Sequence, residues 1–403
     1  MRLNPIFAGL AGLLLLSACA STDYGARQAG ERPVDLATTE ASLWYQMDQA
    51  EQDIIASGRL NTDPVLNDYL AGTLCQVSST FCDDLRLYVL ESSVFNAGMA
   101  PNGMTLINTG LLLRVEDEAQ LAFILGHEFV HFEENHALEQ HAAARNATVA
   151  AAVIGSMVSV AIAGVPTTTQ TGSSGYVAIG SALSYNSAFA FSRDREREAD
   201  LNGLNHSIAA GYDPAAAAAI WSNVLAELLS SENPDTVRRA TRNGAYASHP
   251  LMQERIDTLR AAAEQDPARP TDPRAYRAII RPHLQSWLDA QIARRDHDAT
   301  LHLIDRLSGL GEDLGVLNYA RGRTLAMRNT ENDRALALDA YIEATTYADA
   351  PAGTYRGLGD LFRARGDNLD SADAFEIYLE RAPDARDYAF IEQLILDLRE
   401  TNP

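Results

Sequence analysis

The stretch "LGHEFVHFEENH", residues 125–136, sets two histidines four apart with a glutamate directly after the first. Around it, Glu116 to Asn146 carries apolar residues at helical spacing and acidic residues in its first turn, where the macrodipole favours them. One long helix is expected there. Residues four apart share a helix face, so His127 and His131 can aim their imidazoles at one point. Two neutral imidazoles suit Zn²⁺. Glu128, about 100° further round, reaches the side where water would sit and can move its proton. Without a metal, a buried cluster of this kind would be costly.

A catalytic zinc site needs a third protein ligand. A histidine ten residues after His127, with a glycine between, would supply one, but those positions hold Ala137 and Glu134. The alternative is a carboxylate from another helix. "SRDREREADLNGLNHSIAAG", Ser192 to Gly211, reads as such a helix, with Ser192 as cap and Gly211 as stop. Taken alone it is a solvated, charge-rich face. Beside the upstream motif, Glu196 becomes the third ligand of one zinc ion per chain. Asp200, one turn on, becomes the acceptor that fixes the tautomer of a ligand histidine. His136 and His141 are five apart, off a shared face, and read as surface residues.

At 403 residues, 46% hydrophobic and 21% charged, the chain has room for two globular domains. A formal charge of -22 argues against nucleic acid as a partner, because phosphate binding needs a basic surface. Arg2 followed by "IFAGLAGLLLL" reads as a targeting segment too short for a comfortable membrane span. It ends in "LSAC", Leu16 to Cys19, which resembles the lipobox of bacterial lipoproteins. That resemblance implies acylation of Cys19, cleavage before it and, without an acidic residue next to it, sorting to the outer membrane. Cys75 and Cys82 stay open between a disulfide and two buried thiols.

Residues 20–38 read as a flexible tether, 39–264 as the catalytic domain and 275–403 as a second domain. "QDPARPTDPR", with three prolines in ten residues, links the two at 265–274. Helices are expected over Thr39–Gly58 and Pro64–Gln76. Strands are expected at "LRLYVLES" and "MTLINTG", with the turn "MAPNG" between them. The apolar run Ala147–Gly164 reads as a helix buried against the core or lying at the mouth of the cleft, rather than a membrane span. Beyond the linker the sequence repeats at an offset of 37: Gly322 matches Gly359, Ala335 Ala372, Tyr341 Tyr378 and Glu343 Glu380. The second unit, with Leu358, Gly359, Phe362, Gly366 and Pro383, resembles a tetratricopeptide repeat. The fold class is therefore mainly α, with a small β-sheet in the first domain and helical repeats in the second.

"HEFVH", then "EREAD", preceded by "NAGMAPNGMTLINTGLLL" and followed by "ASHPLMQER", together resemble the HtpX-type zinc peptidases, metallopeptidase family 48 of the gluzincin class. The match covers about Leu85 to Arg260, with "APNG" where Pro-Gly-Gly is more usual. The resemblance implies a zinc endopeptidase with Glu128 as general base, His249 as a fourth-position plug, and Arg255 in substrate or oxyanion binding. The lipoprotein-type signal and repeat tail are similar to those of the periplasmic branch. They imply unfolded or misassembled envelope proteins as substrates, and contact with outer-membrane assembly machinery through the repeats. The alternative is a chaperone or assembly factor with a plugged or silent zinc site. "MTLINTG" is expected to present a free strand edge to an extended substrate.

Overall fold

A computed structural model of the chain describes residues 24–33, 35, 38–146, 191–242 and 252–400. Cys19, Ala147–Gly164 and His249, expected to carry a lipid, a buried helix and a zinc plug, lie outside the described residues. Described elements are numbered here in chain order. Helix α1 (Thr39–Ala56) is capped by the Thr38 side chain, and α2 (Pro64–Ser78) by Asp63 with proline in its first turn. A tight turn over Ser79–Asp84 follows. Cys75 and Cys82 are disulfide-bonded across it. The turn presents Phe81 edge-on to Phe129 and Phe132, with ring centres 5.2 and 5.9 Å apart.

The sheet is small. Strand β1 (Arg86–Leu90) runs parallel to β3 (Met104–Asn108), and β2 (Ala97–Met99) runs antiparallel to β3 on its other side. The order β1-β3-β2 corrects the expectation that "MTLINTG" is a free edge. All five residues of β3 are buried, as suits a central strand, and the three-residue β2 is the edge. The outer side of β1 is covered by Arg59–Asn61, whose backbone pairs with Val89 and Glu91. The "APNG" turn closes with Gly103 at φ +84°, where an added Cβ would meet the Asp84 carbonyl oxygen at 2.1 Å. The Asn102 side chain accepts from Met104 N.

A short helix α3 (Thr109–Leu112) leads to α4 (Glu118–Glu133), capped by Asp117. The expected single long helix is broken after α4: Asn135 adopts φ +53°, and α5 (His136–Asn146) starts afresh. Asparagine tolerates the left-handed region better than most residues. Its side chain is clasped from the N-terminal segment. Arg27 donates to Asn135 Oδ1, Arg27 N to the Glu133 carbonyl at 2.7 Å, and Asn135 Nδ2 to the Gly25 carbonyl at 2.9 Å. The Arg27 guanidinium also lies over the rings of Phe132 and Trp44. Residues 24–33 are thus a strap laid on the catalytic domain rather than a loose tether.

Then come α6 (Arg193–Ala209), α7 (Ala215–Leu229), α8 (Pro234–Arg242), α9 (Met252–Ala263), α10 (Pro273–Ile280), α11 (Leu284–Ile292) and α12 (His297–Ser308). Two helical hairpins end the described chain before a last helix: α13 (Leu314–Arg328) with α14 (Asp333–Thr345), and α15 (Ala352–Arg365) with α16 (Asn368–Arg381), then α17 (Tyr388–Glu400). Gly322 admits the Tyr341 ring and Gly359 admits Phe375, each too close for a Cβ. The ring that fills the gap therefore moves between the two units.

Packing ignores the proline-rich boundary. A single apolar core runs from Leu66 through α4 and α7 to Tyr276, Trp287, Ile304 and Ala320. A buried polar network spans the same junction. Arg114 pairs with Glu227 and donates to Gln291, and Tyr276 donates to the Leu112 carbonyl. Residues from Tyr276 to Ala320 therefore share the core of the catalytic domain, and a separate cluster begins with Tyr319 on α13. Among the described residues, no helix is long and apolar enough to cross a membrane.

Candidate metal centre

Helix α4 is buried along almost its whole length, so its two histidines sit in the interior rather than on a surface. It is crossed by α6 at a contact that only glycines allow. A Cβ on Gly203 would come within 2.7 Å of His127 N, and one on Gly126 within 2.9 Å of the Gly203 carbonyl oxygen. With no side chains between them, the helices draw Glu196, in the first turn of α6, up to the histidine face of α4.

The result is a three-donor cage. His127 Nε2 lies 3.2 Å from His131 Nε2 and 3.7 Å from Glu196 Oε2, and His131 Nε2 lies 3.6 Å from Glu196 Oε1. Each residue is 2% exposed. Tetrahedral ligands at zinc distances stand about 3.3 Å apart. The spacing and the donor types therefore fit a divalent zinc-like ion, and among the described residues these three form the one group able to hold a metal. Glu128, 6% exposed, lines a cleft with His127, Phe95, Ala97, Ile124 and Trp221. That cleft of about 20 Å³ has room for about one water. It puts the edge strand β2 next to the carboxylate.

Behind the first histidine stands a charge pair. His127 Nδ1 is 3.1 Å from Asp200 Oδ1. Arg255 grips Asp200 with Nε on Oδ2 at 2.8 Å and Nη2 on Oδ1 at 2.5 Å. Burial alone would raise the Asp200 carboxyl. The Arg255 charge, with hydrogen bonds from His127 and Arg255, outweighs it and holds the group well below the carboxylate range. Arg255 is buried, stacked 4.0 Å from the Trp221 ring, which itself meets Phe95 edge-on at 5.8 Å. Two of the Arg255 nitrogens are engaged by Asp200, and Nη1 lies 3.9 Å from Glu196, so the residue expected in substrate or oxyanion binding stands against the carboxylates behind the cage.

Behind the second histidine stands His136, expected at the surface but 1% exposed. The break at Asn135 turns it back, and its Nδ1 lies 2.9 Å from His131 Nδ1. Burial pushes its imidazole down to about 3, so it is neutral near pH 7. Phe191 stacks on His131 at 4.0 Å. His141 is half-buried further along α5. Sequence reasoning missed Gly126, Gly203, Trp221 and His136. Only His136 had a local signal, the asparagine just before it.

Two helices converge on one cage beside a small sheet in which, among the described residues, no strand pairs with the outer side of β2, an arrangement that suits a metallopeptidase. Comparison with known families finds a match between residues 74–263 and Peptidase family M48. It is similar to a beta-barrel assembly-enhancing protease of Vibrio cholerae, 26% identical over 64% of this chain and 48% of the relative. A 54-residue stretch is 43% identical to the human mitochondrial metalloendopeptidase OMA1 and 44% to its Bos taurus counterpart, covering 13% of this chain and 10% of each relative. The chain thus spans about half the length of the first relative and a tenth of the others.

Proposed function

We propose that this chain is a zinc-dependent endopeptidase of the periplasm, held at the outer membrane through Cys19, that cleaves misfolded or misassembled envelope proteins. The observation that carries the reading is the convergence of His127, His131 and Glu196 with Glu128 facing the adjoining cleft. Those three residues would hold the ion, which when bound supplies Lewis-acid activation of water and carbonyl. Glu128 takes the proton of the attacking water on its carboxylate and returns it to the leaving amine. Asp200, steadied by Arg255, keeps the His127 proton on Nδ1 and leaves Nε2 as donor to the metal. An extended substrate adds to the β2 edge beside Glu128. Envelope substrates are suggested by the name of the Vibrio relative and by the lipoprotein-type signal.

The test is Glu128→Gln. The variant should keep the zinc content of the wild type and lose at least about a hundredfold in cleavage of an unfolded model protein. Cleavage at the wild-type rate would remove Glu128 from the reaction. A second reading, a chaperone or assembly factor working through tetratricopeptide-like repeats, draws on a groove of about 540 Å³ between α12, α13 and α14, lined in part by Leu301, Leu325, Leu336 and Glu343. Under it, Glu128→Gln keeps all partner capture in cells and loses none of the phenotype.

A further inference from the structure

The zinc reading explains why His127 has Asp200 behind it, but it gives His136 no task. His136 is a polar ring buried in the core, and its position is specifically arranged. On an unbroken helix it would point about 140° away from His131, five residues at 100° each. The left-handed Asn135, held by Arg27 and Gly25 from the N-terminal strap, resets the chain so that the two rings meet.

The proton order then follows from counting. For His131 to offer an Nε2 lone pair to a metal, its one ring proton must sit on Nδ1. That nitrogen is 2.9 Å from His136 Nδ1, and one proton between two ring nitrogens makes one a donor and the other an acceptor. His136 Nδ1 must therefore be bare and its own proton on Nε2. Nε2 lies 3.3 Å from Glu198 Oε2, on α6 two residues after Glu196. Arg195 faces the same group, paired with Glu139 and 3.9 Å from Glu198. Helix α6 thus backs both histidines, His127 directly through Asp200 and His131 through an imidazole in between.

We infer that His136 is a positioning residue, holding His131 in the Nδ1-protonated tautomer with its own Nε2–H turned toward Glu198, 3.3 Å away but not hydrogen-bonded to it. The inference rests on the metal reading above for its consequence but not for its geometry. His136→Phe, which keeps a planar aromatic ring and loses the acceptor, should weaken zinc affinity ten- to a hundredfold in chelator competition. His136→Asn, which puts an oxygen near the place of Nδ1, should recover most of that. Glu198 is exposed, and Glu198→Ala should cost less, about three- to tenfold. In the metal-free wild type, ¹⁵N spectra of labelled histidine should show His131 protonated on Nδ1, and His136→Phe should mix its tautomers. Wild-type affinity in His136→Phe at unchanged Tm, or equal losses in the Phe and Asn variants, overturns the inference. So does a metal-free wild type with the His131 proton on Nε2. If the wild type binds no zinc, the metal reading fails, and the tautomer measurement still decides the role of His136.

Discussion

Gly203 shows how little a single residue can be read from its neighbours alone. Glycine inside a helix costs about 1 kcal/mol against alanine, so Gly203→Ala ought to stabilise α6. The methyl, however, would sit 2.7 Å from His127 N and 2.8 Å from its Cα, backbone atoms that cannot rotate away. Overpacking of that kind typically costs 1–3 kcal/mol and here pushes α6 off α4. Gly203→Ala is therefore expected to lower Tm and to weaken zinc binding, whereas Asn205→Ala on the exposed side of α6 should do neither. A stabilised Gly203→Ala with wild-type zinc affinity would show that the close crossing does not hold Glu196 in place. His127 and His131 were legible because helical spacing alone puts them on one face, with Glu128 one step round it; Glu196, on α6, was legible only as an acidic residue on a second helix read beside that motif. Gly126, Gly203 and Trp221 were not, since what they touch comes from elsewhere in the chain.

At the scale of elements, the sequence told helix from strand better than it told neighbour from neighbour. The caps Thr38, Asp63, Asp117 and Ser192 all accept from the backbone of the helices they open, because a cap is decided within four residues. Strand order is decided by what lies alongside, and there the expectation for "MTLINTG" failed. Asn108 N donates to Asn96 O and Ala100 N to Met104 O, so Ala97 and Met99 turn their backbone groups away from β3. Ala97→Pro removes one outward donor and leaves that ladder whole. It should raise KM for extended peptides by roughly three- to tenfold, the worth of one hydrogen bond, at constant zinc content. An unchanged KM would mean that substrate does not pair with β2. The break between α4 and α5 was missed for a similar reason, since Asn135 is held by a segment 108 residues earlier.

For the molecule as a whole, the linker composition marked a boundary that packing does not respect. Tyr276, Trp287, Leu288, Ile292, Leu303 and Ile304 are all at most 2% exposed and belong to the core that supports α4. At about 1.5–3 kcal/mol each, their loss is comparable to the whole stability of a domain. A chain ended at Gln265 should fail to fold cooperatively. One ended at Pro383 should keep a folded, zinc-binding catalytic domain by calorimetry and metal analysis. Cooperative melting of the shorter chain at the wild-type Tm would restore the two-domain picture. The strap at Arg27 carries a consequence of another kind. On the lipoprotein reading, Cys19 sits at the bilayer surface, and the eight residues to Arg27 extend to at most about 29 Å. Arg27 is docked on Asn135 and Phe132 at the end of α4, so on that reading a leash of this length would keep the catalytic domain close to the bilayer. On that same reading its working depth would be set near the bilayer surface, and clients would be met there, as they enter or fail to enter the lipid.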